Sequence, residues 1–228
     1  MLLAGDTERA WRRRHEELGQ SQALAGLFRG WCPAGHVNAP TRVLYVGKAT
    51  SHEFAGDDPE SDSSNGPGAF WTFAKEIAAA VGCSAETLDC IAWSNISKIS
   101  APQVAAVPKL LRGFEDIATA TPEEEIAITR PHVVVFVTAH FNDEVVRRIA
   151  DGAENKAWSC SEGQGCEIEE RNIWWKRRPD NVAVLRMQHP MCARMEQRRH
   201  AAAKIAELAI GNDVLSIDEV ESSTPRPA

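Results

Sequence analysis

No run of about 18 consecutive apolar residues occurs in this chain, so no transmembrane helix and no membrane partner is expected from it. The start is equally poor in apolar sequence. Met1 to Ala4 offers two leucines before Asp6, Glu8 and the arginines at 12 to 14, too little for a signal peptide. Cysteines stand at 32, 83, 90, 160, 166 and 192 without a CxxC pair, and with no secretory start the expectation is free thiols in a reducing cytoplasm. An excess of basic charge is missing too. The 228 residues carry a net charge of −7, which excludes indiscriminate attraction to nucleic acid and leaves only a local basic patch to bind it. What is present is an ordinary globular composition, 43% apolar. A chain of this length buries roughly 70–75% of its unfolded surface, so one domain over residues 1–211 is expected, with 1–40 as its helical start and 212–228 as a flexible tail.

The common phosphate and metal motifs are incomplete. Val46-Gly47-Lys48 has the look of a phosphate-binding loop, but Arg42 fills the first glycine position and Ala49 the hydroxyl position. His52-Glu53 lacks the second histidine of a zincin helix, since residue 56 is Gly56. Cys32, His36, Cys160 and Cys166 are spaced loosely like zinc ligands, yet ligands from unrelated segments are easily assembled by chance, and the cysteines read as ordinary buried thiols. No metal and no cofactor are expected.

The apolar pattern predicts alternating helices and strands. A helix over Asp6 to Phe28, N-capped by Asp6, would turn Trp11, Leu18, Leu24 and Phe28 inward. Arg42 to Gly47 is an uninterrupted apolar run of the kind buried on both faces of a parallel sheet. Thr50 to Gly68 reads as a long surface loop, and Phe70 to Val81 as a helix stopped by Gly82. Further strands are expected at 88–93, 132–138 and 182–187. Thr121-Pro-Glu-Glu124 has the form of a capping box that opens a helix closed before Pro131. Asn142 to Glu144 can cap another helix, residues 151–181 are irregular or a hairpin, and a last helix runs from about Ala193 to Gly211. Helix and strand in alternation imply an α/β fold, three layers α/β/α around a four-stranded parallel sheet.

In such sheets ligands bind at the carboxyl ends of the strands. Here those ends are Gly47-Lys48, Ser94-Asn95, Thr138 to His140, and Gln188-His189-Pro190. Each carries a polar side chain. His189 before a proline can serve a site or cap the strand, and Asn95 can serve a site or form a turn. Trp174-Trp175-Lys176-Arg177-Arg178 is the one dense mixture of aromatic and basic residues, suited to single strands or flipped bases, or to a hairpin with inward tryptophans and solvated charges.

Four of these segments, in order over Arg42 to Arg199, resemble the motifs of the uracil-DNA glycosylase superfamily. Val43-Leu-Tyr-Val-Gly47-Lys48-Ala49-Thr50 stands where that family has a strand, a glycine and a short loop of the GQDPY, GINPG or GEAPG kind. Phe70-Trp71 resembles the FW that opens the next helix in the mismatch-specific branch, Ser94-Asn95-Ile96-Ser97-Lys98 resembles TNxxK, and His189-Pro190 stands at the place of HPS. The resemblance implies a uracil-DNA glycosylase-like fold, a DNA partner, and hydrolysis of the N-glycosidic bond to a damaged or deaminated, uracil-like base. Breaking that bond places negative charge on the departing base, and a donor such as His189 would meet it. Asn95 has a donor and an acceptor for a pyrimidine edge, Phe54 or Phe70 would stack on the flipped base, and Gly47, Lys48, Ala49 and Pro190 would complete the pocket. Arg194, Arg198 and Arg199 follow where the family approaches the minor groove, and with Trp175, Lys176 and Arg177 they are the expected nucleic-acid contacts. The departures are specific. Ala49 replaces the water-activating Asp or Asn, leaving His52, Glu53, Asp57 or Asp58 as substitutes; Met191 replaces the serine after His189-Pro190; and the iron-sulfur cysteine pattern is missing. The alternative expectation is a protein of the same fold that binds a base, nucleotide or nucleic acid without cleaving it.

Overall fold

The structure is a computed structural model that describes residue 2, residues 5–19, 28, 30–48, 68–99, 115–138, 142–151, 167–168 and 173–221. Its elements, in chain order, are α1 (Gly5–Gly19), a 3-10 turn (His36–Asn38), β1 (Val43–Gly47), α2 (Ala69–Ala80), β2 (Ile91–Asn95), α3 (Glu115–Thr129), β3 (Val133–Phe136), α4 (Asp143–Asp151), β4 (Glu167–Ile168), β5 (Ile173–Arg177), β6 (Ala183–Arg186) and α5 (Met195–Glu221).

The fold is α/β, but the sheet is larger than the expected four parallel strands. Its order is β2-β1-β3-β6-β5-β4, with β5 antiparallel to β6 and β4 antiparallel to β5. The sheet is therefore mixed. The pairs β1–β2, β1–β3 and β3–β6 are parallel, and the two antiparallel strands lie within residues 151–181, whose sequence predicts irregular structure or a hairpin. Antiparallel strands need only a tight turn, and Asn181 at φ 68° supplies one between β5 and β6.

Burial on both faces explains why the parallel strands lack alternation. Val43, Tyr45, Val133, Val135, Ala183 and Leu185 share one core with Phe73 and Ile77 of α2 and Ala201 and Ile205 of α5. Leu44, Val46, Val134, Phe136 and Val184 point the other way, toward Trp11 of α1, Ile126 of α3 and Val146 and Ile149 of α4. Helices thus cover both faces. The α2 stop is the expected one: Gly82 takes φ 77°, Cys83 N–H donates to the Ala78 carbonyl at 2.8 Å and Gly82 N–H to Ala79 at 3.2 Å.

Three helix expectations are corrected. Gly5 at φ 61° opens α1 and Asp6 lies within its first turn, where it pairs with the exposed Arg9; Phe28 belongs to the opposite core from Trp11, its ring 4.7 Å from Trp93. Pro122 lies inside α3 rather than at its first position. The Thr121 hydroxyl is the reason: it donates to the Ile117 carbonyl at 2.7 Å and accepts the Trp11 indole N–H at 2.8 Å, so the turn before the proline is held by α1. That packing offsets the roughly 3 kcal/mol an interior proline costs. The α5 helix runs through Gly211 to Glu221, since one glycine costs only about 1 kcal/mol, too little to stop a helix by itself.

At the opposite end of the sheet from the strand termini discussed below, His36 is fully buried near Arg42 and His132. Burial first, and the Arg42 charge second, lower its pKa to about 4. A folded-state value below the free value means the unfolded chain binds the proton more readily, so the neutral ring stabilises the fold above about pH 6.5 and that stabilisation is lost as pH falls toward 4. We expect urea unfolding between pH 7 and pH 4 to show wild-type losing on the order of 3 kcal/mol more than His36→Gln. Equal losses in the two proteins would show that His36 is not the acid-sensitive group.

Candidate active site at the carboxyl ends of the parallel strands

The four parallel strands end on one rim, tied together past their last residues. Ile96 N–H donates to the Gly47 carbonyl at 2.9 Å, Ser97 N–H to Lys48 at 3.0 Å, Val137 N–H to Val46 at 2.9 Å and Met187 N–H to Phe136 at 2.9 Å. Gly47 pairs in register with Asn95. A Cβ on residue 47 would lie 2.3 Å from Asn95 Oδ1 and 3.2 Å from Phe70 Cε2, so the missing side chain is what lets a buried amide and an aromatic edge meet over the end of β1. The site begins with this gap.

Phe70 is the common neighbour. It stands in the first turn of α2, its ring 4.4 Å from Tyr45, 5.1 Å from Trp71 and 6.4 Å from His189, with the last pair nearly parallel at 25°. The Tyr45 hydroxyl donates to the Phe70 carbonyl at 3.2 Å. Tyr45, which sequence reading counted only as strand core, therefore sets the position of the stacking ring.

His189 is half-buried, and the loop after β6 orients it. Met191 N–H donates to His189 Nδ1 at 3.2 Å, while the His189 carbonyl accepts from Cys192 N–H at 2.8 Å and Ala193 N–H at 3.1 Å. A ring nitrogen that accepts carries no proton, so the neutral imidazole bears its hydrogen on Nε2. Burial and then the Lys48 charge lower the His189 pKa, which keeps the ring neutral at pH 7. Lys48 is half-buried at the end of β1, and burial lowers its pKa as well. Pro190 is buried behind His189. The rim thus presents a flat ring, a carboxamide, an Nε2–H donor and an amine.

The remaining sequence candidates separate into groups. Ala49, His52, Glu53, Phe54, Asp57 and Asp58 lie outside the described residues, as do Cys160, Cys166 and His140. Of the basic and aromatic segment, Trp174 pairs with Arg186 at the rim end of β6, and the charged residues run away from it. Arg177 pairs with Ala183, the first residue of β6, three register steps or about 10 Å from the Arg186 end that leads to His189. Lys176 bridges to Asp151, Arg177 donates to the Asn181 carbonyl at 2.9 Å and the Leu208 carbonyl at 3.1 Å, and Arg178 holds Glu123, Asp180 and the Ile149 carbonyl. Trp174 is buried, and the Lys204 ammonium lies 4.5 Å from the half-buried Trp175 ring. These side chains fasten β5 to α4 and α5. Arg198 faces inward to Glu76 of α2 at 3.4 Å, whereas Arg194 is exposed at the start of α5, its N–H held by Gln197 at 2.8 Å.

Next to Asn95 in β2, Ser94 holds a buried charged pair whose carboxylate leaves no signal in the sequence. Lys98 and Glu125 are both fully buried and form an ion pair, and the Ser94 hydroxyl bonds both, reaching Glu125 Oε1 at 2.7 Å. The second oxygen, Glu125 Oε2, has no hydrogen-bond partner among the described residues. Lys98 was visible as the last residue of Ser94-Asn95-Ile96-Ser97-Lys98, but Glu125 comes from α3 and carries no signal of its own.

Comparison with protein-family models finds no match for this chain, and no curated protein matches it.

Two expectations follow from this geometry. Gly47→Ala should cost about 1–3 kcal/mol through overpacking, and adding Asn95→Ala should restore part of it by removing the clashing oxygen; strictly additive losses in thermal unfolding would contradict the contact. Glu125→Ala should cost about 3–5 kcal/mol by stranding the Lys98 charge, whereas Glu125→Leu with Lys98→Met should be far closer to wild-type.

Proposed function

We propose that the chain is a DNA glycosylase-like hydrolase on a uracil-DNA glycosylase-like three-layer fold, cleaving the N-glycosidic bond of a uracil-like base. The observation that carries this reading is the convergence of Gly47, Phe70, Asn95 and His189 at one strand-end rim. A planar base would stack on Phe70, the Asn95 carboxamide would read its polar edge, and His189 Nε2–H would donate to a base oxygen as negative charge builds there. A neutral donor suits an anionic leaving group, because its proton is held and not lost to the base early. Arg194 and Met191, both exposed next to His189, would meet the phosphate backbone and the base stack. The water-directing group would come from residues 49–58, with His52 and Glu53 as the candidates. Such an enzyme would act on cytoplasmic DNA.

The second reading is a base or nucleotide binder without cleavage, favoured by the net charge of −7 and by the ion pairs that occupy Lys176 and Arg178. Single- and double-stranded DNA containing uracil or hypoxanthine separates the two. Cleavage should leave alkali-labile abasic sites, and His189→Ala should lower the rate ~10²–10³-fold. Binding should weaken steeply with salt if Arg194 contacts phosphate. Salt-dependent binding with no base released would establish the second reading, and neither binding nor release would overturn both.

A further inference from the structure

The strand that ends in Asn95 is held from its other face. Ala92 shares the core of Leu44 and Val46, so Ser94 points to that side and Asn95, by the alternation of a strand, to the side of Trp93 and Phe70. Ser94, Lys98 and Glu125 are all fully buried. The Lys98 ammonium donates to the Ser94 hydroxyl and to Glu125, and that hydroxyl donates to Glu125 Oε1 at 2.7 Å. Lys98 therefore closes the segment from Ser94 to Lys98 into a loop that contains Asn95, and Glu125 anchors the loop to α3. The backbone leaves it little play. Ile96 N–H and Ser97 N–H are bonded to the Gly47 and Lys48 carbonyls, the Lys98 carbonyl accepts Phe28 N–H at 2.8 Å, and a Cβ at Gly30 would lie 3.2 Å from Ser94 Oγ.

Two buried charges add little to stability over a well-packed apolar pair of the same volume. What they add here is direction. An ammonium and a carboxylate bonded to one hydroxyl fix its rotamer through charge-assisted hydrogen bonds, and with it the pleat at the last residue of β2. The gap over Gly47, where a Cβ would come within 2.3 Å of Asn95 Oδ1, gives the carboxamide one narrow seat. We propose that Ser94, Lys98 and Glu125 are positioning residues: acting through the backbone of β2, they hold the Asn95 carboxamide at the rim in the orientation that engages a base edge. The effect on base release rests on the base-excision reading, and the placement of the carboxamide does not. Being fully buried, none of the three touches a base. A displacement of about 1 Å at a group that orients substrate costs up to ~10²-fold in rate, so loss of the network slows base release while the fold stays intact.

Lys98→Met with Glu125→Leu removes both charges at nearly constant volume, and Ser94→Ala removes only the hydroxyl. Each is made in the whole chain, alone and with Asn95→Ala, and read in three ways: thermal unfolding, single-turnover base release from uracil-containing DNA, and the proton–nitrogen resonances of the Asn95 side-chain amide, which Asn95→Ala identifies. Both variants should unfold cooperatively, release base about 10–100-fold more slowly than wild-type, and move or broaden the Asn95 resonances. Ser94→Thr, which keeps the hydroxyl, should restore rate and resonances. In the Asn95→Ala background neither variant should slow release further, because the group they act through is gone. Equal slowing in both backgrounds would assign the network to general stability and overturn the proposal. Wild-type release, or unmoved Asn95 resonances, in a variant that folds would also overturn it. Should the charge-free pair not fold, Ser94→Ala alone decides. A wild-type protein that releases no base removes the glycosylase reading, and the resonances then test positioning by themselves: displaced in Ser94→Ala and restored in Ser94→Thr supports it, and unmoved overturns it.

Discussion

A side chain at residue 47 would place Cβ 2.3 Å from Asn95 Oδ1, so the parallel register that sets Gly47 against Asn95 is compatible only with glycine unless the amide moves. Much follows from that contact. It brings the buried amide over the end of β1, admits the Phe70 edge beside it, and leaves the next residue, Lys48, at the seam. Phe70 in turn is placed from below by the Tyr45 hydroxyl and approached from the side by His189. The rim is therefore a consequence of strand register and one absent carbon, with the aromatic rings filling the space that results.

The electrostatics of the rim differ from those of the molecule. The chain as a whole is acidic, yet its strand ends hold Lys48 and an Nε2–H donor in His189, and the buried Lys98 bonds Ser94, the neighbour of Asn95. Glu125 pairs with Lys98 inside the fold, so that buried charge is neutralised internally. A buried ion pair is seldom worth much to stability against an apolar alternative. Its effect here is geometric: the Ser94 hydroxyl binds both partners, which ties the end of β2 to α3 and so supports the residue that follows, Asn95.

The basic and aromatic segment shows how composition and position part company. Trp174 to Arg178 has the residues of a nucleic-acid surface, but antiparallel pairing with β6 carries its charged end toward the start of that strand. There the charges are used locally. Arg178 caps the carboxyl end of α4 through the Ile149 carbonyl, and Arg177 reaches the Leu208 carbonyl of α5. Direction within the sheet, invisible in a one-dimensional run, decided what these side chains touch.

The sequence by itself determined the elements whose signals are local. Apolar runs specified β1, β3 and the first three residues of β6 because strands covered on both faces bury nearly every side chain, and Gly82 stopped α2 because glycine enters the left-handed turn without strain. It also placed Gly47, Asn95 and His189 at strand ends, since each lies within two residues of the last apolar position of its strand segment. Where those ends meet was decided by tertiary structure. The strand order β2-β1-β3-β6 is not the chain order, and the register that opposes Gly47 to Asn95 depends on which faces pack together, not on either residue's neighbours. Pro122 inside α3, Phe28 in the core opposite Trp11, Glu125 against Ser94 and Lys98, and the antiparallel β4 and β5 were likewise decided in three dimensions. The first three are stabilised by contacts with residues distant in the chain, which can override a local preference worth a few kcal/mol without leaving any periodic trace in the sequence, whereas β4 and β5 pair with near neighbours in a segment whose sequence allowed a hairpin.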